Sequence, residues 1–213
     1  MSLILAAVMA LSQQCAPGIA LEAIVPQVHV ESHFNELAIG VNNGPQVRAR
    51  SLPEAIALAT RFIRAGYSVD LGLAQINSKN LRRLGLTIEQ TFDPCTSLRA
   101  ASVVLAENYS QASTSRAGVD AINATWSLYN SGSTTRGIRN GYVGKIWASA
   151  TDLVPRMRAI LGTGQIPQLG EVAPISASPG PQGAASALAP PPPPRARWIY
   201  GTRNSDAVVF KDQ

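Results

Sequence analysis

The chain has 213 residues, 46% hydrophobic and 15% charged, with a formal net charge of +5. That is enough for one folded domain and an appendage, and the positive balance favours anionic partners such as cell-wall polymers, acidic lipid surfaces or nucleic acid. No run of Lys and Arg is dense enough for a nucleic-acid patch, and with only 6% aromatics there is no evident stacking platform for single strands.

Leu3 to Leu11 is apolar throughout and too short to span a bilayer. It reads either as the core of a signal peptide, with Val8-Met9-Ala10 a poor cleavage site and no basic residue ahead of it, or as a buried opening helix. Residues 18 to 32 read as a helix, because Leu21, Ile24, Val25 and Val28 recur at helical spacing. Glu31 falls seven residues after Ile24, in line with that apolar stripe. A carboxyl held against apolar surface loses hydration, and its pKa rises. Such a group can donate a proton near neutral pH, as glycosidic bond cleavage requires. The competing reading is a structural glutamate ending a helix.

Asn43-Gly44 signals the tight turn of a hairpin over residues 39 to 47. Ser51-Leu52-Pro53-Glu54 is a capping box that opens a helix ending near Gly66. Tyr67 to Ile76 reads as a short strand or extended segment, followed by a short helix near Ser78 to Leu84. Asp93-Pro94 supplies an N-cap and a first-turn proline for a helix to about Gln111. Ala117 to Tyr129 is a further helix, stopped by Asn130-Ser131-Gly132, and Gly141 to Leu161 is the last long one. Trp126 and Trp147 lie within helical patterns and read as core. The extended segments suffice only for a small sheet.

Past Gly162, Pro, Ala, Ser and Gly dominate, too little apolar surface to offset ordering entropy, so a disordered tail is expected. Pro190 to Pro194 favours a stiff polyproline II spacer. Arg195 to Tyr200 and Ala207 to Phe210 restore apolar and aromatic content. They read as a docking peptide or as incidental hydrophobics in a tail. Cys15 and Cys95 form no Cys-x-x-Cys pair, which weakens a redox or zinc reading. A bond between them would close a long loop, and two unrelated buried thiols are the alternative.

Three segments read beside one another sharpen the picture: Glu31-Ser32-His33-Phe34-Asn35, then Gly72-Leu73-Ala74-Gln75-Ile76-Asn77, then Tyr129-Asn130-Ser131-Gly132. In this order and spacing the chain resembles the soluble lytic transglycosylase domain, a relative of goose-type lysozyme. Cys15-Ala16-Pro17, Ala38 to Asn42 and Phe92 to Cys95 resemble more particularly the transglycosylase component of bacterial type IV secretion systems. The resemblance covers about residues 12 to 150.

The resemblance implies a mainly α, lysozyme-like α+β fold, a helical domain with a small β-hairpin, and a disulfide between Cys15 and Cys95. It implies Glu31 as single catalytic acid and base. Ser32 would support the substrate or the carboxyl, Gly72 would let backbone approach the sugar, and Gln75 would face the cleft. Asn77 would hold the adjoining turn, Tyr129 would hydrogen-bond near Glu31, and Asn130 would position the saccharide. Ala74 stands where a methionine is frequent in the family, implying a shallower apolar wall. Residues 1–161 form the expected transglycosylase domain, 162–194 a linker and 195–213 a docking segment.

The implied substrate is peptidoglycan, cleaved by lytic transglycosylation in the periplasm during assembly of a type IV secretion or conjugation apparatus. Apparatus subunits would bind through the tail. A monomer is expected, with no cofactor, metal or nucleic acid. Asp70 and Glu36 are candidate second carboxylates for a competing lysozyme-type hydrolase, and both read more readily as turn-capping or solvated. A non-catalytic glycan-binding assembly factor is the rival from another class. His29 and His33 have a spacing that can share a metal, but His-Val-Glu-Ser-His is not the zinc peptidase order. No third ligand is indicated.

Overall fold

A computed structural model describes residues 2–162; the proline-rich linker and the docking segment read from the sequence lie outside the described residues. Eight α-helices and three short strands follow one another in the described residues. Residues 5 to 15 form α1 (Leu5–Cys15), with Val8 and Met9 fully buried. The apolar run near the start of the chain is therefore part of the domain core. The helix carrying Glu31 is α2 (Leu21–Ser32), beginning three residues later than the periodicity predicts because the extended Ala20 is its N-cap. Its Ile24, Val25 and Val28 are at most 1% exposed.

The sheet is antiparallel, in the order β1-β2-β3, with β1 (Ile39–Val41), β2 (Val69–Leu71) and β3 (Ile76–Asn77). The small hairpin is β2–β3, closed by residues 72–75. Asn43-Gly44 does turn, with Asn43 at φ 57°, but the chain after it does not return to β1. The partner of β1 is β2, with Ile39 opposite Leu71 and Val41 opposite Val69. Pro45 follows the turn directly and has no N–H to donate, whereas pairing with β2 places β1 beside the fully buried Val69 and Leu71.

Between β1 and β2 lies α3 (Leu52–Arg64), capped as the sequence predicts: the Ser51 hydroxyl accepts from the Glu54 N–H, and the Glu54 carboxylate accepts from the Arg50 N–H. A 3-10 turn at residues 78–80 leads into α4 (Leu81–Leu84), and a second at 89–92 leads into α5 (Pro94–Ser113), where Asp93 caps the N–H of Thr96. The remaining helices are α6 (Gly118–Ser131), α7 (Arg136–Arg139) and α8 (Tyr142–Gly162). At four residues, α7 is too short for periodicity to reveal it.

A main core joins most of these elements, and Ala112, Ala124 and Leu128 form a smaller cluster between α5 and α6. The main core draws Val8 and Met9 from α1, Ile24 and Val28 from α2, Leu98 and Leu105 from α5, and Ile146, Leu153 and Met157 from α8. Trp126 and Trp147 meet edge to face at 5.4 Å, and the Trp147 indole donates to Asn123 Oδ1 at 2.8 Å, so both serve the helix packing. Cys15, closing α1, is bonded to Cys95 in the first turn of α5, 80 residues on. No described helix is long and apolar enough to cross a membrane.

Candidate active site

Glu31 is the penultimate residue of α2, partly exposed at the edge of the buried stripe. Three distant segments surround its carboxyl. Tyr142, at the start of α8, donates its hydroxyl to Glu31 Oε1. Asp70 of β2 lies near enough for its negative charge to act on Glu31, and Tyr129 of α6 is near enough to feel the charge of both. Burial pushes the Glu31 pKa up to about 7, Asp70 adds to the rise, and the Tyr142 hydrogen bond opposes it. Burial and the neighbouring carboxylates hold both tyrosines well above the ordinary phenol value. Each therefore remains a hydrogen-bond donor wherever Glu31 titrates.

The backbone around this carboxyl is held in costly conformations. Immediately after α2, His33 (φ 51°) and Phe34 (φ 64°) are both left-handed, as is Gln75 (φ 51°) in the β2–β3 loop. Non-glycine residues in that region cost roughly 1–2 kcal/mol each, and such strain tends to gather at functional sites. What sustains it is local bonding. The His33 N–H is bonded to His29 O at 2.9 Å, and Phe34 is buried against the His29 ring. His29 Nδ1 also meets Ser149 Oγ at 3.0 Å, and its ring stands edge-on to His33. Burial, then the neighbouring His33, holds the His29 pKa low.

Several residues singled out from the sequence have polar or backbone groups engaged within the protein. Ser32 is buried and donates its hydroxyl to the Val28 carbonyl of its own helix at 3.2 Å. Gly72 (φ 72°) answers a close approach, but to protein: a Cβ there would lie 1.9 Å from the Thr91 carbonyl oxygen. Gln75 commits its amide nitrogen to the carbonyls of Ala38 (3.1 Å) and Gly72 (2.9 Å), clamping the loop to the segment entering β1. Ala74 is fully buried; its N–H donates to Ser97 Oγ and its carbonyl accepts from the Tyr129 hydroxyl at 2.8 Å. Tyr129 thus anchors the loop near Glu31, and Tyr142 bonds directly to the Glu31 carboxyl.

Asn77 caps the 3-10 turn at residues 78–80. Its Oδ1 accepts from the Lys79 N–H, and its Nδ2 donates to Ser68 Oγ (2.8 Å) and Asp70 Oδ1 (2.6 Å). Asn42 donates to the other Asp70 oxygen at 2.9 Å. Burial raises the Asp70 pKa, and these two amides counter it. Asn130 is exposed in the last turn of α6, where its Oδ1 accepts from Asn140 at 2.9 Å. Among the described residues, no group of three His, Cys, Asp or Glu could hold a metal. Tyr142 was hidden in the sequence inside the last apolar helix pattern. The available signal was a tyrosine on a buried helix face, whose hydroxyl must find a partner.

The described residues thus form a helical domain with a three-stranded sheet and a proton-retaining glutamate near the end of α2, beside Tyr142 and Asp70. The profile described as "Transglycosylase SLT domain" matches residues 9–146, and the chain belongs to that family. Among its relatives are the type IV secretion system proteins virB1 of Brucella abortus and Brucella melitensis. Each is 40% identical over 148 residues, which cover 66% of this chain and 62% of theirs. Protein virB1 of Agrobacterium fabrum is 35% identical over 149 residues, covering 70% of this chain and 61% of its own. The match thus spans about three-fifths of the relatives' length. No solved structure gave a significant match.

Proposed function

We propose that the domain cleaves the β-1,4 bond between N-acetylmuramic acid and N-acetylglucosamine by lytic transglycosylation, with Glu31 as both acid and base. The observation that carries this reading is the Glu31 carboxyl itself, raised to about 7 by burial. Glu31 protonates the glycosidic oxygen as its bond to the muramoyl anomeric carbon breaks. The substrate N-acetyl group stabilises the oxocarbenium-like centre. The ionised Glu31 then takes the proton from the muramoyl 6-hydroxyl, whose oxygen attacks the anomeric carbon. The product is a 1,6-anhydro ring, no water is consumed, and Glu31 ends protonated as it began. One group serving both steps works best with its pKa near the working pH.

Asp70 supports a second reading, hydrolysis by a carboxylate pair, because its charge acts on Glu31. Both of its oxygens, however, are already engaged by Asn42 and Asn77. Asp70 then serves to keep Glu31 protonated by like-charge repulsion. Mass spectrometry of fragments released from purified peptidoglycan decides between the two. Anhydromuropeptides are expected; exclusively reducing ends would establish the hydrolase instead.

The kinship with virB1 proteins motivates a wider proposal: local opening of the cell wall for a type IV secretion or conjugation apparatus, in the periplasm. The Cys15–Cys95 bond fits an oxidising compartment. In this proposal residues 195–213 dock to apparatus subunits through the 162–194 linker. Truncation after Gly162 should then spare glycan cleavage and weaken co-purification with other subunits. Equal recovery with both forms would rule the docking role out.

A further inference from the structure

We infer that Asn140 is a positioning residue, joining Asn130 to the backbone of Tyr142 and so holding the Tyr142 hydroxyl on Glu31. This deepens the proposed glycan-cleaving role, since Asn130 matters as a sugar contact only if that role is right.

Asn140 occupies the joint between α7 and α8 and uses both ends of its amide. Its Nδ2 donates to Asn130 Oδ1 in α6 at 2.9 Å, and its Oδ1 accepts from the Tyr142 N–H at 3.0 Å. Tyr142 then donates its hydroxyl to Glu31 in α2. A continuous chain of contacts therefore runs from an exposed amide on α6, across the start of α8, to the carboxyl. Its α7 side is fixed. The Gly137 N–H donates to Ser127 Oγ of α6 at 2.8 Å, and a Cβ at Gly137 would sit 2.7 Å from the Ser127 Cα. With α7 seated so closely on α6, the direction in which α8 leaves is set at residues 140 and 141.

That direction matters because Tyr142 is the first residue of α8. Its N–H is one of the orphan donors of a helix start, and a side-chain oxygen two residues earlier satisfies it. Releasing that N–H frees the first turn, and the hydroxyl at the far end of the side chain moves with it. The hydrogen bond between Asn130 and Asn140 is exposed and contributes only about 0.5–1.5 kcal/mol. A sugar hydroxyl or acetamido group can compete for it, so occupation of the cleft at Asn130 is felt at Glu31.

The test is the titration of the Glu31 carboxyl, followed by 13C NMR in the full chain without substrate, in wild type, Asn140→Ala, Tyr142→Phe and the double variant. Tyr142 stabilises the ionised carboxyl, so loosening it must raise the titration midpoint. Asn140→Ala should move it upward by about 0.5–1 pH unit, and should add nothing on top of Tyr142→Phe. The alkaline limb of muropeptide release should shift upward by the same amount. A purely structural role would lower the rate without moving either midpoint.

An unmoved Glu31 midpoint in Asn140→Ala, or an equal further shift in the double variant, overturns the inference. Should Asn140→Ala not fold, Asn130→Ala removes the other partner of the same bond at an exposed position, and must shift the midpoint upward. A shifted midpoint in a protein that releases no fragments would leave the inference standing and sink the enzymatic reading alone. Fragment release with an unmoved midpoint would do the reverse.

Discussion

Glu31→Gln is expected to reduce release of muropeptides by at least roughly 1000-fold, the scale of a lost general acid and base, and to make the protein more stable above neutral pH. Glutamine keeps the shape of the side chain and can still accept from Tyr142, so the fold should persist. The stability effect follows from the proton. Glu31 titrates near 7 in the folded protein against 4.5 as its ordinary value, so between those values the native state holds more protons than the unfolded chain. Wild-type stability from this group is complete below about pH 4.5 and is lost as pH rises through about 7. Glutamine carries no such penalty. The variant should match wild type at pH 4 and exceed it by about 2–3 kcal/mol at pH 8, or roughly 5–10 °C in melting temperature. Thermal melts at both pH values check the second part. Undiminished muropeptide release from a folded Glu31→Gln protein would remove Glu31 from the chemistry.

Loss of the Cys15–Cys95 bond should be the most damaging single change to stability. It links the end of α1 to the start of α5, 80 residues apart. Opening a loop of that length returns entropy to the unfolded chain equivalent to about 4.5 kcal/mol. Domains of this kind have only about 5–15 kcal/mol in total. The bond also secures α1, whose buried Val8 and Met9 belong to the common core. Urea unfolding of the oxidised protein and of a Cys15→Ser, Cys95→Ser double variant measures the difference directly. The variant is expected to unfold at markedly lower urea; coincident midpoints would show that core packing alone secures α1.

Local signals in the sequence carried much of the fold. Ser51 and Asp93 cap their helices because a short polar side chain beside a first-turn proline has few other uses. Gly132, left-handed at φ 66°, ends α6 where the Asn-Ser-Gly run predicts. The strand pairing was not legible, since Asn43-Gly44 announces a turn but not where the following chain goes. The choice of β2 as the partner of β1 depends on what lies beneath the sheet.

The candidate site divides along the same line. The position of Glu31 on its apolar stripe follows from spacing within one helix, and so does the expectation of a raised pKa. Its neighbours do not. Tyr142 and Asp70 are 111 and 39 positions away along the chain, and only tertiary packing, of α8 against α2 in the case of Tyr142, brings them to the carboxyl. The motif residues Ser32, Gly72 and Gln75 show the converse. They flank the site in sequence and spend their polar groups or their missing Cβ on the scaffold. The sequence by itself determined which carboxyl would be set against apolar surface, because helical periodicity is a local property. Tertiary structure alone decided which groups bond to that carboxyl and which brace the backbone behind it, because hydrogen bonds form between atoms that packing brings within about 3 Å.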